Sequence, residues 1–454
     1  MAGGTLNYDH RRTITTCSGP DHPMADALPE TSDVVVIGGG VAGLSTAMQL
    51  ASRGASVTVL ERERLGNGST GRAAGLLGQL RGSPAATRML MDGVQIVAEL
   101  EERANVEIFV QTGSLRVAQT DERAGEIRDL VEMGRGIDFD IDHLPIEEVS
   151  GLLPYMRTDD LVDACYCPTD GHLQPAELVA AYLKLGREHG VVYHPGCPVR
   201  GLDLTENRVR GVITDHGTIS TGMVINAAGP WSYLVAGLVD TPLQTAALGH
   251  VYLTTRPDDS HPVDRLSPAI RDRHLRIYSR PESGGLIVGM YGPDAVQHDM
   301  AALPDDFDMS SLTVRADDLH VALLIDATKR RFPWIDERTP MTITRGIMTF
   351  SPDGKPFCGR RPDFDGLFHC SGFCGHGIVQ SPAIGVIMAD LVLDGSTGYD
   401  IEAIQADRFF DHPELQDRSD IEAACYQMQA GYYGRIEDGD GGLVEEPAED
   451  GPTA

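Results

Sequence analysis

Gly38, Gly40 and Gly43 form GxGxxG in the stretch VVVIGGGVAGLS, and Glu61 follows 18 residues after the last of them. That spacing suits a nucleotide site. The first glycine permits a tight turn, the second lets backbone approach a pyrophosphate, and the third lets a helix pack closely on the sheet. Phosphates then meet the free N–H groups of a helix N-terminus. Glu61 stands where it accepts hydrogen bonds from a ribose diol. The motif by itself leaves NAD and FAD open. Two later stretches, VINAAGPW (224–231) and SGFCGHGIVQSPAIG (371–385), put glycine or alanine at strand-to-helix turns far along the chain. A long cofactor needs one such close approach for each of its segments, which decides for FAD. The second turn also aims a helix N-terminus at the flavin pyrimidine, where it stabilises negative charge on the reduced ring.

These residues need a frame. Val34 to Ile37 is a continuous apolar run, as expected of a strand buried on both faces of a parallel sheet. VAGLSTAMQLASRG reads as a helix ending near Gly54, and ASVTVLER as the next strand, ending at Glu61 and Arg62. ELVAAYLKLGREHG (177–190) has the pattern of an amphipathic helix, and the alternating stretch from Val191 to Gly229 that of a small meander. LGHVYLTT, LRIYSR and GGLIVGMY predict an antiparallel sheet in a separate lobe. The loop GSTGRAAGLLGQLR (68–81) is nearly free of bulk, with Arg72 inside it.

A length of 454 residues favours two or more lobes. The net charge of -30 makes nucleic acid and anionic membranes poor partners. No apolar run approaches the roughly 18 residues of a membrane span. The N-terminus lacks the apolar core of a signal peptide, so cytoplasm is the default localisation. The eight cysteines do not form paired CxxC units. They read as small packed hydrophobes, with no metal site and no disulfides. Residues 1–31 and the acidic stretch 436–454 have the composition of mobile segments.

VVVIGGGVAGLSTAMQLASRG, GSTGRAAGLLGQLR, GSLRVAQTDER, DGHLQPAELVAAY, VINAAGPW, RPESGGLIVGMY, TFSPDGKPFCG and SGFCGHGIVQSPAIG occur in one order. In that order the chain resembles FAD-dependent amine oxidoreductases of the D-amino acid oxidase superfamily. Within it the dimethylglycine dehydrogenase, sarcosine dehydrogenase and dimethylglycine oxidase group is the most similar. The resemblance runs from about Asp33 to Leu393. It implies an α/β (α+β) chain with a Rossmann-like FAD domain, discontinuous over 32–110, 170–245 and 345–400. A substrate domain over 111–169 and 246–344 would roof the flavin with an antiparallel sheet, and a helical segment would span 401–435. The implied chemistry removes a hydride equivalent from the carbon beside an amine nitrogen, after which the imine hydrolyses. A secondary or tertiary, N-methylated, carboxylate-bearing amine is the expected substrate, with oxygen or a redox partner as electron acceptor. The alternatives are deamination of a primary amine and a non-catalytic flavin subunit. The large relatives carry a C-terminal tetrahydrofolate domain, so any one-carbon product here is expected to be released or handed on.

The resemblance also implies site residues. The cofactor set is Gly38, Gly40, Val41, Ala42 and Gly43 in the first turn, with Glu61 and Arg62 after the second strand. Gly68, Ser69, Thr70, Arg72, Ala73 and Ala74 come from the small loop. Val199, Ala228, Gly229 and Trp231 follow, then Gly372, Gly375, His376, Gly377 and Ile378 from the last turn. Many relatives tether FAD through a His in that small loop; the matching positions here are Gly71 and Arg72. A guanidinium is not a nucleophile towards the flavin methyl group, so non-covalent FAD is expected. The cysteine tether of monomeric sarcosine oxidase matches a position near Gly346. His250 and Tyr278 match the His and Tyr of dimethylglycine oxidase and are the implied catalytic pair. Tyr291 and Arg345 are the implied substrate contacts, while His172 reads as a turn residue. The family's carboxylate-binding arginines find Met348 and Gly78 at or near their positions. This leaves Arg81, Arg276, Arg280 and Arg345 as candidates.

Overall fold

The computed structural model describes residues 27–292, 295–312 and 318–432. The expected mobile stretch up to residue 26 and the acidic stretch 436–454 lie outside the described residues. Glu30 and Ser32 pair with the backbone of Ser220, which joins the start of the described chain to the first lobe.

The apolar run Val34–Ile37 is wholly buried and forms the middle of a parallel arrangement. It pairs with Val57–Leu60 on one side and Met223–Asn226 on the other. Val192–His194, Leu367–Ser371 and Phe357–Arg360 complete a six-stranded sheet among the described residues; the last pair is antiparallel. Helices Val41–Ser52 and Gly377–Leu393 pack tightly on each other. A Cβ at Gly385 would lie 2.1 Å from Ser45 Oγ, so the two helices meet where one has no side chain. Residues 199–220 form the expected meander, Val199–Thr205, Arg208–Thr214 and Gly217–Ser220.

The second lobe is built on a sheet of nine strands among the described residues. At its centre are Ala269–Asp272, Ile277–Glu282, Gly285–Met290 and Ala246–Thr255, joined antiparallel. The strand Ser114–Ala118 adds to Ala269–Asp272 in the parallel sense and pairs on its other side with Asp163–Cys167, which puts one parallel pair inside the expected antiparallel sheet. One face carries Val251, Leu253, Ile277 and Val288 into a core with helix Leu319–Arg331. The other face looks towards the nucleotide lobe. The strand Met341–Phe350 pairs along its whole length with Ala246–Thr255. The domain boundary expected at 345 therefore falls inside a strand, and the larger sheet runs on to Phe350. His172 is a second difference. It lies mid-strand between Leu76 and Val110, buried, rather than in a turn, and burial pushes its pKa down to about 4. The expected C-terminal helical segment contains helix Arg418–Gly431. Among the described residues, no helix is long and apolar enough to cross a membrane.

Candidate active site

One cavity runs between the two lobes, and most of the predicted residues line it. Its floor begins at Gly38, whose φ is +111° and whose Cβ position would be 2.3 Å from the Ala227 carbonyl oxygen. Only glycine fits where the first strand turns beneath the Ala227–Gly229 loop. Gly43 does not face the cavity. A Cβ there would be 2.1 Å from the Gly38 carbonyl oxygen, so this glycine seats the helix on the strand. Gly40, Val41 and Ala42 line the cavity at the helix start. The Glu61 carboxylate also lines it and accepts hydrogen bonds from the amides of Gly39 (2.8 Å) and Glu63 (2.9 Å). Burial raises its pKa, while these two bonds oppose the shift.

The small loop explains its own composition. Thr70 Oγ1 accepts from the Val41 amide at 3.0 Å, and Ser69 Oγ donates to the Ile347 carbonyl at 2.5 Å. A Cβ at Gly346 would lie 3.0 Å from Arg72 Cβ. The loop is thus wedged between the first helix and the last roof strand, with residues 68–70 and 72–74 along the cavity wall. Arg62 stacks over Trp231 at 4.7 Å, and both line the cavity beside Val199, Ala228 and Gly229. Gly375, His376, Gly377 and Ile378 line its far end. Gly372 does not. Its φ is +74° and it packs on Phe357, so it makes the turn without reaching the cavity.

The roof brings together two residues 28 apart in sequence. His250 Nε2 and Tyr278 Oη are 2.7 Å apart, and both side chains line the cavity. Tyr291 joins them, its ring centroid 5.2 Å from that of His250. A Cβ at Gly375 would lie 2.6 Å from Tyr291 Oη, so that glycine makes room for the phenol. Burial pushes the His250 pKa down to about 3, with a further contribution from His320. The imidazole is neutral at physiological pH. His376, the N-cap of helix Gly377–Leu393, is likewise held well below its ordinary value, first by burial and then by Arg81 and Arg271.

Arg345 is not brought to this site. Its guanidinium is ion-paired with Asp318, both side chains largely buried, and it does not line the cavity. Arg280 is likewise engaged elsewhere, through Glu282 and the carbonyls of Ala74 and Pro281. Neither Arg81 nor Arg276 lines the cavity. Among the lining residues that escaped the sequence reading are Arg271, Arg200 and Tyr252. Tyr252 follows His250 by two, and the alternation of a strand was enough to put both on one face. Arg271 belongs to a four-residue strand with no such pattern.

The family model described as FAD dependent oxidoreductase matches residues 33–391. The chain belongs to this family. The glycine cradle and the buried acid at the second strand's end fit the adenosine and pyrophosphate of FAD, its cofactor. The chain is 31% identical over 420 residues to mitochondrial sarcosine dehydrogenase of Homo sapiens, covering 90% of this chain and 45% of that protein. It is 28% identical to 4-methylaminobutanoate oxidase (formaldehyde-forming) of Paenarthrobacter nicotinovorans, covering 85% and 47%. The chain thus spans less than half the length of these relatives. Among solved structures, L-proline dehydrogenase from P. horikoshii is similar, with a TM-score of 0.76 and 26% identity. It is matched over 84% of this chain and 99% of that one.

Proposed function

We propose that this chain oxidises a secondary or tertiary amine, N-methylated and carboxylate-bearing, to an imine that hydrolyses, releasing formaldehyde from an N-methyl group. The observation that carries the reading is the neutral His250 bonded to Tyr278 on the roof of the cavity whose floor is the glycine cradle. FAD, when bound, supplies the two-electron acceptor for the hydride equivalent. The protein's own task is protonic. An alkylammonium, with a pKa of about 10, has no lone pair to assist C–H cleavage. The buried roof favours the uncharged amine, whose proton leaves to solvent as the substrate enters, and neutral His250 with the Tyr278 hydroxyl orients the nitrogen and its lone pair. Tyr278 and Tyr291 fix the nitrogen's direction. The reading includes non-covalent FAD, because Arg72 offers no nucleophile on the loop, and oxygen or a redox partner as final acceptor.

The test is an anaerobic screen of N-methylated amino acids and their primary counterparts, following flavin absorbance, with formaldehyde assayed on reoxidation. Bleaching with an N-methyl acid and formaldehyde release are expected. Tyr278→Phe and His250→Ala should slow bleaching by about 10²- to 10⁴-fold. Bleaching by dithionite but by no amine would end this reading. Wild-type rates in both variants would remove the pair from the mechanism.

A further inference from the structure

We propose that Arg271 is the anion anchor of this site, receiving the substrate carboxylate while the amine lies towards Tyr278 and His250. The proposal deepens the amine-oxidising reading and rests on it for the identity of the substrate.

Among the described residues, four arginines line the cavity: Arg62, Arg72, Arg200 and Arg271. Two belong to the nucleotide end. Arg62 stacks on Trp231 and donates to the Asp305 carbonyl at 2.5 Å; Arg200 is paired with Asp215 and Asp305. Arg72 rides on the loop between the first helix and Gly346. Arg271 alone of the four comes from the roof sheet that carries His250 and Tyr278. It is 8% exposed.

Strand register fixes what lies beside it. Arg271 is directly opposite Tyr278, Tyr278 is opposite Gly289, and Gly289 is opposite Tyr252. Residues directly opposite in antiparallel strands share a face, with Cα atoms about 5 Å apart. Arg271 and Tyr278 therefore rise side by side into the cavity. The Tyr278 ring then leans away from Arg271, because Gly289 leaves it room. A Cβ at Gly289 would be 2.2 Å from Tyr278 Cζ. That lean carries the phenol to His250. Along the roof the order is cation, phenol, neutral imidazole, which is the order an amino acid needs from carboxylate to nitrogen.

The guanidinium is also held in place from the other side. A Cβ at Gly78 would lie 2.9 Å from Arg271 Nη2, so the chain after Leu77 runs directly against the guanidinium. Its charge is felt in the cavity, since it helps to hold His376 neutral. A guanidinium has five N–H donors in a planar fork, enough to serve its neighbours in the sheet and a carboxylate together. The four candidates drawn from sequence do not line the cavity, and the positions that family resemblance would use carry Met348 and Gly78. Gly78 now has another explanation: it is the space Arg271 fills.

The test uses FAD-loaded protein and probes without an oxidisable amine: (methylthio)acetate, 3-(methylthio)propanoate and 4-(methylthio)butanoate, each with its methyl ester. Binding is followed by calorimetry and by the flavin difference spectrum. At least one acid should bind wild type about tenfold or more tightly than its ester. Arg271→Met should weaken that acid by about 10- to 100-fold and leave the ester within about threefold, as expected for losing a charge-assisted bidentate contact. Arg271→Lys, which keeps charge but not the fork, should fall between, and it serves if Arg271→Met does not fold. An acid preference that persists in both variants would overturn the assignment, as would no acid preference in the wild type. Because the probes are not oxidised, this outcome is separate from the amine screen: bleaching by amines with an unchanged acid preference would sink the anchor alone.

Discussion

Acid should unfold this protein partly through His369, and the size of the effect follows from its bonding. His369 is fully buried on Leu367–Ser371, and Asn226 Nδ2 faces its Nδ1 at 3.2 Å. The amide's orientation is set by two other bonds: Nδ2 donates to the Ser232 carbonyl at 2.8 Å, and Oδ1 accepts from the Ala228 amide at 3.3 Å. Nδ1 must therefore accept, and a proton there would oppose an N–H. Burial, with a smaller contribution from Arg361, pushes the pKa down to about 3. The unfolded chain titrates near 6.5. Between these values the unfolded state binds a proton that the native state refuses, so stability falls as pH drops below about 6.5. At pH 5, about 1.5 units below the unfolded value, the loss is about 2 kcal/mol, and at pH 7 it is only a few tenths. His369→Asn keeps an acceptor near Nδ1 and removes the titration. Thermal unfolding by circular dichroism, at saturating FAD and at pH 7, 6 and 5, would compare the two. The stability gap between wild type and variant should shift by about 2 kcal/mol in the variant's favour from pH 7 to pH 5, a few degrees in Tm. His250 and His172 push in the same direction but cancel in the comparison. A gap that does not change with pH would refute the reasoning.

Gly43→Val should prevent FAD retention, because its Cβ would sit 2.1 Å from the Gly38 carbonyl; flavin content after gel filtration reads this directly. Asp272→Asn should cost about 1–3 kcal/mol in a urea titration, since the fully buried Arg331 keeps Asp160 but loses the charge of its 2.8 Å partner. Acid precipitation of purified holoprotein should leave the yellow colour in the supernatant, whereas a flavin that stays with the pellet would show a covalent tether and remove Arg72 from the argument.

The cofactor end was readable from the chain because its requirements are local. The contact that demands Gly43 is with Gly38, five residues away, and the acid that closes the unit is Glu61 on the next strand. Each of these appears as a spacing. The roof is different. Whether Arg345 faces the cavity depends on Asp318, a residue from the start of another helix, and no pattern in TITRGIMTF announces that acid. The strand that carries Arg271 is four residues long and gains its face only by pairing with Ser114–Ala118 and Ile277–Glu282. Its hairpin turn passes through Arg276 at a φ of +58°, which nothing in RDRHLR signals. His250 and Tyr278 were found by resemblance, and their 2.7 Å contact depends on Gly289, which reads in sequence as one more small residue in GGLIVGMY. A site whose glycines serve backbone turns is therefore legible one element at a time. A site whose glycines serve other residues' side chains, as Gly78 does for Arg271 and Gly289 for Tyr278, becomes legible only when the strands are aligned. On the proposed reading, substrate selection by this chain depends on the second kind.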